Sequence, residues 1–157
     1  MKSNALKSID QPVVKQEIVA RIARLRPGLE RRWGKMNARQ MVCHLNDAFM
    51  ATMGEKAVSI VPNFRWRGFF KWCALYLPTP WPHGFPTPPE IDQEFDGTAP
   101  GDFEFDRQRL LSLVERFTRL PREFEFKPHP MFLELTEWQW MRWGYLHTDH
   151  HLCQFGV

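Results

Sequence analysis

A chain of 157 residues with 43% hydrophobic and 25% charged residues has room for one domain and enough apolar material for a core, which excludes whole-chain disorder. Lys and Arg number 21 against 18 Asp and Glu, a formal charge of +3, too mild to point to nucleic acid or an anionic membrane as the main partner. No apolar run approaches the ~18 residues of a transmembrane helix, and the polar start MKSNALKSIDQPVVKQE lacks an apolar signal core.

The first ten or so residues, 1–10, are polar and read as a frayed end. Asp10 then reads as an N-cap, with Pro12 in the first turn, where a missing N–H costs nothing. Val13, Ile18, Ile22 and Leu25 recur near helical spacing, and Pro27-Gly28 stops this first helix. After a linker over residues 29–36, Asn37 stands three residues before Gln40, a capping box in its Asn/Gln form. The second helix is predicted over residues 38–53, closed by Gly54. Met41, Leu45, Ala48, Phe49 and Thr52 lie along one stripe of it, and His44 sits in that stripe.

Residues 64–77, FRWRGFFKWCALYL, are too densely apolar for a solvent loop and read as a short helix. The following PTPWPHGFPTPPE cannot be regular, because proline removes donors and restricts the residue before it. An ordered loop of this length serves as a lid or wall of a site, or equally as a plain crossover between antiparallel helices. Asp102 or Asp106 starts a third long helix with Phe105, Leu110, Leu113, Val114 and Phe117 as its apolar face, and Pro121 ends it. Thr136, three residues before Gln139, opens a second capping box, and the last helix is predicted over residues 137–155 with Gly156 as terminator. Four long helices and almost nothing of period two predict an all-α, four-helix bundle. A Pro-rich crossover joins its second and third long helices, in one domain over 1–157.

The three cysteines, Cys43, Cys73 and Cys153, are widely spaced and form no C-x-x-C. They read as small buried apolar residues in a reducing cytoplasm rather than as a disulfide framework. The chemistry concentrates in YLHTDHHLCQF, residues 145–155. His147 and His151 are four apart on a predicted helix, about 400° around its axis, so both rings stand on one face and can reach one metal ion. Trp140, Trp143 and Gln154 fall on or beside that stripe, and His150 lies about 60° to one side. His44 is the natural third ligand if the bundle brings the two helices together. The bland alternative is a chance histidine pair and a hydrogen-bonded core His44, and the spacing by itself leaves both open.

Four segments carry a resemblance: WGKMNARQMVCHL (residues 33–45), HPMF (129–132), LTEWQW (135–140) and HTDHHLCQF (147–155). They resemble the DinB/YfiT-like superfamily, and more closely one of its uncharacterised branches. The resemblance implies a four-helix bundle holding a divalent metal on three histidines, here His44, His147 and His151. His150 fills a place where the family often has a non-ligating His. Members of that branch carry Gly where Leu133 stands, so the turn before the last helix, and with it His129, is expected to differ. Members with assigned activities are metal-dependent transferases of low-molecular-weight thiols, isomerases using such a thiol, or hydrolases.

The expected chemistry is therefore a zinc, nickel or iron ion that activates a low-molecular-weight thiol or water, with Trp140, Trp143 and Trp81 as an aromatic wall. His129 and His150 are expected either to face the bound molecule or to bond to backbone. Asp47, one turn from His44, is a better partner for a ligating ring than Asp149, which lies about 200° from His147 around the helix. His83 reads as a plain loop residue. A non-catalytic metal or small-molecule binder is the alternative. A homodimer through helix faces fits the tryptophan content, while the interleaved basic residues do not suggest nucleic acid.

Overall fold

The computed structural model describes residues 6–157. Among the described residues five α-helices follow one another: α1 Pro12–Ala23, α2 Ala38–Thr52, α3 Arg67–Tyr76, α4 Phe103–Thr118 and α5 Glu137–Gln154. A single 3-10 turn, Pro89–Ile91, interrupts the long crossover between α3 and α4. Among the described residues there is no strand, only an isolated antiparallel bridge between His129 and Leu133. The protein is all-helical.

Both capping boxes form. The Asn37 side chain accepts from the Gln40 N–H at 2.9 Å and the Gln40 side chain accepts from the Asn37 N–H at 2.9 Å. Thr136 and Gln139 repeat the exchange at the start of α5. Each box satisfies two of the N–H groups that a helix start leaves orphaned, so the two helices that carry the histidines are fixed at their first turn. At the other end, Gly54 and Gly156 adopt φ of +81° and +74°, the left-handed conformation that turns the chain out of a helix.

Helix α2 packs on α4, α1 on both α4 and α5, and α5 also touches α2 and α3. Between them lies a core that includes Ile18, Ile22, Met41, Leu45, Phe49, Leu110, Val114, Phe117, Trp140 and Trp143. Burial of that apolar surface is the main force holding the helices at their spacing. Gly144 lets α5 come close: a Cβ there would lie 2.9 Å from Phe117 Cε1 and 3.2 Å from Ile9 Cγ2. At the far end of α5, Arg21 donates to the Val157 carbonyl at 3.0 and 2.9 Å and pairs with Asp149.

The structure corrects several details of the sequence reading. Gln11, not Asp10, occupies the N-cap of α1 and makes no side-chain cap bond. The core stripe of α1 passes through Val14, Ile18 and Ile22, and Val13 faces solvent. In α4 the cap is Asp102, the first of the two starts the sequence offers, and it accepts from the Phe105 N–H. The stripe then runs through Phe103, Leu110, Leu113, Val114 and Phe117, and Phe105 is exposed because it stands about 200° from Phe103. The expected fraying of residues 1–10 does not extend to Ser8 and Ile9, which are buried. Residues 1–5 lie outside the described part, but Ile9 is fully buried and its N–H donates to the Met141 carbonyl at 3.0 Å. Only Cys43 is a buried cysteine, whereas Cys73 and Cys153 are half-buried. Among the described residues no helix is long and apolar enough to cross a membrane.

Candidate metal centre

His44 projects from the middle of α2, while His147 and His151 project one turn apart from α5. The facing of these helices brings the three imidazoles together, with one ring nitrogen of each within 4.8 Å of the others. The group could hold a metal ion. His44 Nε2 and His147 Nε2 are 3.1 Å apart. Two nitrogens bound at ~2.0–2.1 Å to one tetrahedral ion would be separated by roughly 3.3 Å, so this pair already has the spacing of two ligands on one metal.

Hydrogen bonds outside the cluster set which nitrogen is free. A backbone carbonyl can only accept, so the 2.7 Å contact between His44 Nδ1 and the Ile91 carbonyl places a proton on Nδ1 and leaves the Nε2 lone pair toward the cluster. His151 is set through Gln154. The Gln154 amide nitrogen donates to the Trp33 carbonyl at 2.8 Å, which turns its oxygen toward His151 Nδ1 at 3.0 Å. His151 Nδ1 therefore carries its proton, and Nε2 is again the free donor. His147 Nδ1 has no hydrogen-bond partner, and its ring stacks on Trp143 with centroids 5.0 Å apart.

Burial pushes all three rings below the ordinary histidine range, His147 and His151 well below it, and the neighbouring imidazoles push the same way in that pair. Neutral imidazole is the form that donates to a metal. Three neutral nitrogens with no carboxylate among them are a donor set for a borderline-soft ion such as zinc, nickel or iron, and they leave coordination positions for another molecule.

The cluster forms one wall of a cavity of about 1050 Å³. His44, His147 and His151 border it, with Trp140, Trp143, His150 and His129 around them. Trp140 and Trp143 are almost wholly buried, so they belong to the core and present only an edge to the cavity. His150 sits with its ring centroid 5.2 Å from that of His151 and between Trp33, Trp81 and His83, at 5.9, 6.2 and 6.0 Å. His129 is held by backbone: its Nδ1 accepts from the N–H groups of Met131 and Phe132, both at 3.1 Å. Burial pushes it down to about 3, with the Arg67 guanidinium adding to the effect.

Trp81, from the Pro-rich crossover, does line the cavity and donates its indole N–H to the Ala74 carbonyl. His83 is more than a loop residue, since its ring stacks face to face on Trp33 at 4.1 Å. Asp47 does not reach the His44 ring, whose Nδ1 is taken by Ile91. Its carboxylate is buried and accepts from the Thr98 N–H at 2.8 Å, the Thr98 hydroxyl at 2.6 Å and Gln93 at 2.9 Å, with Lys56 at 2.9 Å. In this way Asp47 fastens the end of the crossover to α2, one turn from His44. Asp149 pairs with Arg21, away from the cluster.

Three contributors had no readable signal. The Ile91 carbonyl is backbone, the Trp33–His83 stack joins two irregular segments, and Gln154 was visible by its position but not by its bond to His151. The turn at Leu133 is also resolved: Leu133 adopts φ of +59°, and its N–H and carbonyl exchange bonds with His129 at 2.9 and 2.8 Å. A leucine here takes the left-handed conformation that suits glycine.

A family model described as "Protein of unknown function (DUF1569)" matches residues 7–156, and the chain belongs to that family. No curated protein and no solved structure matches it.

Proposed function

From its membership of the DUF1569 family as premise, we propose that the protein is a metal-dependent enzyme of the DinB/YfiT-like type, its four long helices forming that superfamily's bundle. His44, His147 and His151 are its ligands. The observation that carries the reading is the 3.1 Å approach of His44 Nε2 and His147 Nε2. Two nitrogen atoms at that distance repel unless a proton or a cation lies between them. The Ile91 carbonyl and Gln154 hold the protons of His44 and His151 on the outer nitrogens.

A divalent transition ion bound there, zinc or nickel foremost and iron next, would supply a low-molecular-weight thiolate or hydroxide at neutral pH. The chain's own part is positional. Trp143 fixes the His147 ring by stacking, and Trp33, Trp81 and His150 line the space beside the cluster in which an electrophile would lie. Thiol transfer is the reaction we favour, and hydrolysis would use the same site with water. The three unpaired cysteines suit a reducing cytoplasm.

Elemental analysis of tag-free protein, wild type beside His151→Ala, tests the reading. About one equivalent of a transition metal in the wild type, lost in the variant with helical circular dichroism retained, is the expected result. No metal in either protein after dialysis against zinc or nickel would sink it. Metal without thiol transfer or hydrolysis would leave a binding protein.

A further inference from the structure

Between Lys56 and Pro89 the chain carries Lys56, Arg65, Arg67 and Lys71 and not one carboxylate. Eight of its Phe, Trp and Tyr residues fall in the same stretch. The whole-chain charge of +3 conceals this segment, because the acids that offset it lie elsewhere.

Helix α3 stands at its centre and buries only Leu75. Phe69, Trp72 and Tyr76 follow at spacings of three and four, so they form one ridge along the helix, and they are 60, 53 and 39% exposed. Trp66 continues the ridge at the N-terminal end, 72% exposed and with φ of +62°. Trp138 of α5 extends it at the other end, its ring centroid 5.3 Å from that of Tyr76. This is more apolar surface in one place than a soluble face needs, and large exposed patches of this kind mark interaction sites.

The charges beside the ridge decide what covers it. Lys56 is neutralised by Asp47. Arg67 and Lys71 bond only to backbone carbonyls, those of Val61, Met131 and Glu134, and Arg65 is exposed. None of these last three forms an ion pair among the described residues. The acids closest in the chain to Trp138 are Glu134 and Glu137, and Glu137 is paired with Arg122. A two-fold pairing of this patch with a second copy would set cation against cation. A surface of lipid phosphates answers the cations, and its interfacial zone is where Trp and Tyr rings are most at ease.

We propose that the α3 ridge docks the protein on an anionic phospholipid surface. Phe69 and Trp72 enter the boundary between headgroups and acyl chains, and Arg65 and Lys71 rest on the phosphates, while Arg67 holds the Val61 and Met131 carbonyls beneath the ridge. Phe70, Cys73 and Ala74 of the same helix, and Leu77 just after it, line the cavity of the histidine cluster. Docking therefore sets the cavity beside the bilayer, where an apolar molecule can pass into it without crossing water. The inference revises the sequence-based expectation of no membrane partner, and it stands whether or not the cluster holds a metal.

Co-sedimentation of the full chain with phosphatidylcholine vesicles, with and without phosphatidylglycerol, tests it. Binding is expected with the anionic vesicles, falling with salt and accompanied by a blue shift of tryptophan emission. The exposed double variant Phe69→Ser/Trp72→Ser should bind about tenfold or more weakly, and Arg65→Glu about fivefold or more weakly. Should the double variant lose its helical circular dichroism, Trp66→Ser replaces it. No sedimentation with anionic vesicles, or equal binding by wild type and variants, overturns the proposal. So does a wild-type dimer that the aromatic variant dissolves without any vesicle binding, which would assign the ridge to a second copy.

Discussion

Gln154 holds His151 by its Nδ1–H at 3.0 Å and is itself held by the Trp33 carbonyl at 2.8 Å. This two-step anchor decides which nitrogen of His151 faces the cluster, and a carbonyl in an irregular segment thereby sets the tautomer of a ring on a helix. Partners of this kind are worth about 10–100-fold in metal affinity. Gln154→Leu should weaken zinc binding by that factor in a competition titration with a chromogenic chelator. Gln154→Glu keeps an acceptor for His151 and should recover part of the loss. A Leu variant that binds as tightly as wild type would show that the anchor is irrelevant to ligation.

Acid should destabilise the metal-free protein from an unusually high pH. His129 is pushed from 6.5 down to about 3 by burial, and His44, His147 and His151 shift in the same direction. Between those two values the unfolded chain takes up a proton on His129 that the folded chain refuses. The stabilising contribution is thus complete above about pH 6.5 and is lost as pH falls, at up to ~1.4 kcal/mol per pH unit per histidine. Urea unfolding of chelator-treated protein at pH 7.5, 6 and 5 measures the slope. His129→Asn retains an acceptor for the Met131 and Phe132 N–H groups without the titration, so its slope should be shallower. Identical slopes would remove His129 from the account.

Leu133 stands at φ of +59°, with its side chain only part-covered. The left-handed conformation costs an L-residue ~1–2 kcal/mol and glycine nothing, while glycine's extra freedom in the unfolded chain costs ~0.5–1 kcal/mol. Both Leu133→Gly and Leu133→Ala give up the covered side chain, so the backbone decides between them, and Leu133→Gly should exceed Leu133→Ala in stability by up to about 1 kcal/mol. Thermal unfolding of the three proteins decides it. An Ala variant as stable as the Gly variant would mean the backbone conformation carries no penalty.

Gly144 gives the reverse result. Alanine is the better helix former by ~1 kcal/mol, and Gly144 lies inside α5. A methyl group there would press on Phe117 at 2.9 Å, and that ring is packed against Phe49 and Trp143. Overpacking of such a core costs about 1–3 kcal/mol. Gly144→Ala should lower the denaturant midpoint, and an unchanged or raised midpoint would show that α4 and α5 can separate freely.

The parts of this structure that could be read from the chain were those with local causes. Asn37/Gln40 and Thr136/Gln139 are closed hydrogen-bond exchanges within four residues, so they appear in the sequence as they do in space. The same holds for His147 and His151, one helical turn apart, and for the irregularity of a segment in which proline recurs. The convergence of His44 on that pair needed the packing of α2 against α5 and rested on the resemblance. In α1 several neighbouring polar residues can cap and two valines stand side by side, so residue type does not tell Gln11 from Asp10 or Val14 from Val13, while in α4 Asp102 is one of the two starts given and only Phe105 is put on the wrong face. The Ile91 carbonyl, the Trp33–His83 stack and the anchoring of Thr98 by Asp47 join segments far apart in sequence through backbone or loop atoms. Nothing in residue type marks them.

His44 and His147 are separated by 103 positions, so an ion shared between them ties a loop of that length. An ion seated in the cluster would act as a reversible cross-link. Loop closure entropy grows slowly with length, and long loops yield the largest entropic return for one tie. The unfolded chain retains only the short-range pair on α5, a two-nitrogen chelate that cannot match three. Ion availability would then set how long the folded chain persists, with ~4.1 kcal/mol gained when the free ion exceeds its dissociation constant about a thousandfold. Starved of metal, the protein would lose lifetime as well as chemistry.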